Sequence, residues 1–226
     1  SPDSFGQKQT AYQILVSNSL EVLNNGKGDM WNSGWVDSSK MHLIEYGGEP
    51  LQSDKTYYWK VAVKDENGRT SLHSDPAKWS TGLLLEEDWS AKWIGTDKAY
   101  NPAEGPNKMA DPWFRKTFEL NQIPNKATLF VASVGYHEVY VNGQRIDDHV
   151  LAPAATDHTQ RARYIAYNIA PALISGKNVI SLWLGTSWSI FAPYATPDKP
   201  RAPIVIAQAD IYDAEGDKLM RVTTDE

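Results

Sequence analysis

Gly135-Tyr136-His137-Glu138-Val139-Tyr140-Val141-Asn142-Gly143-Gln144-Arg145-Ile146 decides the fold class of this chain. Asn-Gly tolerates positive φ at both central positions of a two-residue turn, and the twist of that turn matches two antiparallel strands. In this register Val139 faces Ile146, Tyr140 faces Arg145 and Val141 faces Gln144. Val139, Val141 and Ile146 then share one face, while Glu138, Tyr140 and Arg145 share the other. Glu138 falls diagonal to Arg145, in reach of a surface ion pair. One apolar face and one polar or amphipathic face is how a strand pair of a β-sandwich reads. Upstream, Ala127 to Val134 is expected to add a strand to the same sheet.

The rest of the second half follows the same pattern. Trp89 to Gly95 opens it, and residues 97–112, rich in Asn, Pro, Gly and Asp, read as a long surface loop. Trp113 to Leu120 is a strand with Phe114, Lys116, Phe118 and Leu120 on one side. Arg163–Ile169 and Asn178–Gly185 are strands joined by a turn at Pro171-Ala172-Leu173. Ala202–Tyr212 runs to a turn at 213–217 and a final strand. No long amphipathic helix interrupts, so a second antiparallel sandwich of jelly-roll type is expected.

The first half is also strand-rich. Ala11–Ser17 places Tyr12, Ile14 and Val16 on one face, and Ser19 starts a single helical turn that Asn24-Asn25-Gly26 ends. Short strands are expected over Asp29–Val36 and His42–Tyr46. Thr56–Lys64 points Tyr57, Trp59, Val61 and Val63 inward, and Ala77–Leu84 returns. Leu51, six residues before Tyr57, fits a tyrosine corner, in which a phenol at the start of a strand bonds upstream backbone. This half resembles a fibronectin type III domain. Residues 1–9 are too polar to supply its first two strands, so a truncated module is expected, in a piece cut from something longer. The two modules are placed at 1–86 and 87–226.

Composition excludes several functions. The 226 residues are 41% hydrophobic and 22% charged, enough to bury a core. A net charge of -6 argues against a nucleic-acid or anionic-membrane surface, and no apolar run is long enough to span a bilayer as a helix. With no cysteine there is no disulfide frame, thiolate zinc site or cysteine nucleophile, which leaves the compartment open; a periplasmic or extracellular location is favoured over a cytoplasmic one.

Several stretches together resemble the amino-terminal region of bacterial α-L-rhamnosidases of glycoside hydrolase family 78. They are QTAYQILVSNS (9–19), GDMWNSGWV (28–36), YYWKVAVKDENG (57–68), TGLLLEEDWSAKWIG (81–95), RKTFEL (115–120) and GYHEVYVNGQRIDDHVLAP (135–153). The run from Thr156-Asp157 to Ile180, and then Gly185 to Trp188, extends the match. The resemblance implies an all-β pair of modules, a fibronectin-like sandwich and then a jelly roll. It also implies that the hydrolytic carboxylates lie downstream on an (α/α)6 barrel, the partner of this piece, and that the jelly roll helps recognise a rhamnose-containing glycan. No catalytic residue carries over. Where the family usually has a glycine and a tryptophan after Leu151-Ala152-Pro153, this chain has Ala154-Ala155.

The residues themselves offer one functional constellation. The 9 Trp and 11 Tyr are mostly core material, but aromatic rings are also platforms for sugar rings. Asp157, His158 and Arg161 in one loop, with Trp188, Phe191 and Tyr194 in another, would supply planar polar groups and apolar faces for a carbohydrate; packing against further domains is the structural alternative. The five histidines show no ligand spacing. Asp213-Ala214-Glu215-Gly216-Asp217 has its glycine two positions early for a calcium loop, and no bidentate Glu follows. No metal or other cofactor is expected. A stand-alone carbohydrate-binding module and an adhesion or protein-interaction module are the rival functions to a rhamnosidase piece.

Overall fold

The computed structural model describes residues 6–96, 111–196 and 201–225. They form two compact units, Ser1–Asp88 and Trp89–Glu226. Of the loop expected over 97–112, all but residues 111 and 112 lies outside the described residues.

The first unit is built on β1 (Gln9–Ser17) and β4 (Thr56–Asp65), paired antiparallel with Tyr12 opposite Val63 and Val16 opposite Trp59. Helix α1 (Leu20–Asn24) starts at Ser19, whose Oγ accepts from Val22 N at 3.4 Å. β2 (Trp31–Asn32) and β3 (Val36–Asp37) both pair with β1, and β5 (Ala77–Ser80) pairs with β4, giving one five-stranded sheet. Tyr12, Ile14, Val16 and Tyr57 form its core cluster, flanked by Trp31, Trp59, Val61 and Val63. The corner forms: Gln52 N donates to the Tyr57 hydroxyl at 2.8 Å.

The strand expected over His42–Tyr46 does not form. Leu43 turns to φ +53, which breaks an extended run, and Tyr46 folds back over the sheet instead. Its ring packs edge-on to Trp31 at 5.4 Å, and its hydroxyl lies 3.0 Å from Met30 O and 2.8 Å from Glu49 O. Beside it, a groove of about 480 Å³ remains open along the apolar face, lined by Tyr12, Ile14, Trp59, Val61 and Trp79.

The second unit holds β6 (Ile94–Gly95), β7 (Trp113–Leu120), β8 (Lys126–Val134), β9 (Tyr136–Val141) and β10 (Gln144–Arg145). After them come β11 (Tyr164–Asn168), β12 (Gly176–Gly185), β13 (Ile204–Tyr212) and β14 (Lys218–Thr223). One sheet runs β10-β9-β12-β7 and the other β11-β8-β13-β14, with β6 also on β13. Val139, Val141, Ile180, Leu182 and Leu184 from the first meet Leu129, Val131, Val205, Ala207, Ala209 and Ile211 from the second in one buried core.

The hairpin has the register read from Asn-Gly. Asn142 sits at φ +51 and Gly143 at φ +81, Arg145 pairs with Tyr140, and Ile146 N bonds Val139 O at 3.0 Å. Arg145 Nη2 lies 3.1 Å from Glu138 Oε1. One expectation is corrected: β8 belongs to the opposite sheet, where it pairs with β11 and β13. The reason is Gly135, the single residue between β8 and β9. At φ +119 it carries the chain across the sandwich, and a Cβ there would stand 2.5 Å from Gly185 O.

Several polar groups are buried by this arrangement. On the far side of the second sheet, the 1%-exposed Asp210 receives Arg221 Nε at 2.7 Å and Nη2 at 2.9 Å, with Lys218 Nζ 3.1 Å away. Burial alone would raise its pKa, but the two cations outweigh it and hold the carboxyl below its usual range. Gln208, also buried, accepts from Ser90 N and Oγ at 2.8 and 3.0 Å, tying the start of this unit to the sheet. Between the sheets, His137 Nδ1 lies 2.8 Å from Ser133 Oγ and its Nε2 lies 2.9 Å from the Tyr167 hydroxyl. Ser133 Oγ in turn reaches Gly135 O at 3.1 Å. With the serine donating to that carbonyl, the order of donors assigns the imidazole proton to Nδ1 and leaves Nε2 to accept from Tyr167.

Two predictions follow from these positions. A Cβ at Gly143 meets nothing within 4 Å, so Gly143→Val carries only backbone strain of about 1–2 kcal/mol. Gly135→Ala adds a clash with backbone to an angle that L residues rarely adopt, so it should lower the thermal midpoint by roughly twice as much or more. Equal midpoints for the two variants would contradict the corner. Second, burial pushes His137 down to about 4, opposed in part by the Asp147 carboxylate. As pH falls below about 6.5 the unfolded chain takes up a proton that the folded chain refuses until about pH 4. Stability should therefore be lost across that window, by up to about 3 kcal/mol. The His137 ring resonance, followed by NMR, should titrate near the lower limit; a midpoint near 6.5 would refute the buried neutral network.

Candidate functional site

The loop after Pro153 is organised by Asp157. Its Oδ1 accepts from Thr159 N at 3.0 Å and Thr159 Oγ1 at 2.6 Å, and its carbonyl accepts from Gln160 N and Arg161 N, each at 3.0 Å. Thr156 Oγ1 closes the loop on Arg161 O at 2.7 Å. The Thr159 hydrogen bonds hold the Asp157 carboxyl below the usual carboxylate range. One carboxylate oxygen of Asp157 is thus engaged in its own turn. Arg161 contributes backbone to that turn, and its side chain is exposed.

The second loop leaves β12 through Thr186, whose N and Oγ1 lie 3.3 and 3.2 Å from Asp111 Oδ1. A 3₁₀ turn over Ser187–Ile190 then lifts Trp188 outward, with Ser187 at φ +43. Trp188 and Phe191 remain 51% and 53% exposed and meet edge to face at 5.7 Å. Tyr194 packs edge-on to His158 at 6.1 Å, and the Arg201 guanidinium sits 5.0 Å from the centre of its ring. Burial raises the Tyr194 pKa, opposed by Arg201.

These two loops enclose a pocket of about 230 Å³ lined by Thr156, His158, Trp188, Phe191, Pro193 and Tyr194. Of the six residues singled out in the sequence, His158, Trp188, Phe191 and Tyr194 come together there. Asp157 and Arg161 stand on the same loop but do not line it. Arg201 was missed, because no local pattern marks a cation that stacks on a ring seven residues upstream. The pocket offers aromatic faces, a hydroxyl and an imidazole to a ligand. Its described lining holds no carboxylate, whereas inverting glycoside hydrolysis needs two, about 6.5–9.5 Å apart.

Elsewhere, the turn at 213–217 is a hairpin in which Asp217 N donates to Asp213 Oδ1 at 2.8 Å and Asp213 N to Asp217 O at 3.0 Å. Among the described residues, no three His, Asp or Glu side chains gather as metal ligands. No helix in them is long and apolar enough to cross a membrane.

Comparison with known proteins bears on both units. Residues 1–85 match the family described as "Rha78A-like, N-terminal immunoglobulin domain", and residues 122–226 match "Alpha-L-rhamnosidase N-terminal domain". The first description names an immunoglobulin rather than a fibronectin module; both are β-sandwiches of shared architecture. An α-L-rhamnosidase of Formosa agariphila is 35% identical over 202 residues, covering 82% of this chain and 21% of its own length. One from Alteromonas sp. (strain LOR) is 29% identical over 230 residues, covering 99% and 25%. The structure of the α-L-rhamnosidase from Dictyoglumus thermophilum superposes with a TM-score of 0.85 at 34% identity, over 97% of this chain and 25% of that one. The chain thus spans between a fifth and a quarter of the length of the curated relatives it matches. Matched along its length and in order by two amino-terminal domains of these enzymes, the chain belongs to the α-L-rhamnosidase family, as its amino-terminal region.

Proposed function

We propose that the protein carrying these two modules hydrolyses terminal α-L-rhamnosyl linkages with inversion. Catalysis would rest on carboxylates of an (α/α)6 barrel downstream, which the modules scaffold. The jelly roll would help to present the rhamnose-bearing glycan. The observation that carries this reading is the ordered pair of rhamnosidase modules matched at 1–85 and 122–226. The loop pocket supports a part in substrate recognition. Trp188 and Phe191 expose aromatic faces to it, and His158 and Thr156 offer polar groups. The same pocket favours the second reading, a carbohydrate-binding module that acts on its own.

The chain itself should not turn over p-nitrophenyl α-L-rhamnoside, whereas the protein extended through the barrel should. Turnover by the chain alone, freed of contaminants, would sink the scaffold reading. For recognition, L-rhamnose should shift the Trp188 indole N–H signal of the chain, and Trp188→Ala should weaken binding roughly tenfold. If rhamnose leaves that signal unmoved, the loop pocket has no part in recognising the sugar.

A further inference from the structure

Trp113 on β7 and Trp183 on β12 are direct cross-strand partners, with rings 5.0 Å apart and within 10° of parallel. The Tyr140 ring lies 5.3 Å from Trp113. All three are on the outer side of the sheet, since Leu182 and Val139, their strand neighbours, point into the core. Trp113 stays 55% exposed and Trp183 38%. Stacking of this kind stabilises a sheet, which accounts for the pair but not for what adjoins it.

Glu138 is the partner of Trp183 on β9. Its Oε2 accepts from the Tyr140 hydroxyl at 2.6 Å and its Oε1 lies 3.1 Å from Arg145 Nη2, which also donates to His149 O at 2.6 Å. The carboxylate is therefore held in one orientation beside the indole. Two pairs further along the ladder, on the same face of the sheet, Gly185 stands opposite Tyr136 and has no side chain. The space left there is a pocket of about 190 Å³, walled by Trp183, Glu138, Tyr136, His149 and Asp111. It is smaller than the ~300–1,000 Å³ that larger ligands occupy, and it suits a single ring.

We infer that this pocket on the outer face of the sheet is a second glycan site, which takes one pyranose residue stacked on Trp183. The C–H face of a pyranose needs a flat apolar partner, which the indole supplies. Its hydroxyls need acceptors and donors already turned toward them. Glu138 and Asp111 provide carboxylate acceptors. His149, whose Nδ1 lies 2.5 Å from Asp147 Oδ2, presents its Nε2 as donor; the hydrogen bond to Asp147 raises its pKa and favours the charged ring. A protein partner would instead want a broad, dry aromatic surface with charges at its rim, whereas here the charged groups stand against the ring. The site shares no lining residue with the loop pocket and does not depend on the hydrolase reading.

The test uses the whole chain and three probes, methyl α-L-rhamnopyranoside, methyl β-D-galactopyranoside and methyl α-D-mannopyranoside. At least one should shift the Trp183 indole N–H signal and should bind with a measurable heat. Trp183→Ala and Glu138→Gln should each weaken that binding roughly tenfold or more, and Trp183→Phe should keep most of it. Gly185→Val adds a backstop, because a Cβ at Gly185 meets only Tyr136 Cβ at 3.6 Å, an ordinary contact. It should fill the pocket and abolish binding while the thermal midpoint holds. If none of the three sugars moves the Trp183 signal, or if Gly185→Val binds as well as the parent, the inference is overturned.

Discussion

Asn178 is wholly buried, and away from water its carboxamide must find four hydrogen-bond partners within the protein. It finds all four. Nδ2 donates to Ile174 O at 2.8 Å and Gly176 O at 2.9 Å, while Oδ1 accepts from Ile174 N at 3.0 Å and from Asn142 Nδ2 at 2.9 Å. Asn142 in turn accepts at Oδ1 from Val179 N and bonds Ala172 O through Nδ2. The turn of the hairpin is thus latched to the connection between β11 and β12. A slip of one residue would break the latch and also turn Val139 and Val141 out of the core. Register and burial reinforce each other.

The same logic governs the other buried polar groups. His137 stays uncharged because Ser133 and Tyr167 satisfy both ring nitrogens where burial disfavours a proton. Asp210 stays charged because two cations reach it under similar burial. Burial acts against charge in both cases, and only the partners differ. With these groups satisfied inside, the aromatic side chains left over stand at the loop ends and on the outer face, where a ligand can reach them.

In the first unit the constraint is the corner. Tyr57 is 2% exposed, yet its hydroxyl receives Gln52 N and fixes the entry into the longest strand of that unit. The apolar face of the sheet is covered in part by Tyr46 folding onto Trp31, not by a further ladder. Gly48 makes this possible, since a Cβ there would stand 2.2 Å from Met30 O.

Much of this was legible in the amino-acid sequence. Alternation assigned the faces of β1, β4, β7 and β9; Asn142-Gly143 set the hairpin register; and the ordered stretches from 9 to 188 pointed to the family. Each of these is a local property, carried by residues a few positions apart and therefore written in periodicity and turn chemistry. What the sequence could not determine was which strand neighbours which. It put β8 in the sheet of β9, whereas Gly135 takes it across the sandwich. It marked Asp157 as a candidate sugar ligand without showing that its Oδ1 accepts from Thr159. It set Trp113 on the side of its strand opposite Phe114 without showing Trp183, 70 residues later, beside it. Alternation says on which face a side chain lies, but its partners there come from strand order, which only the closing of the two sheets over a shared core decides.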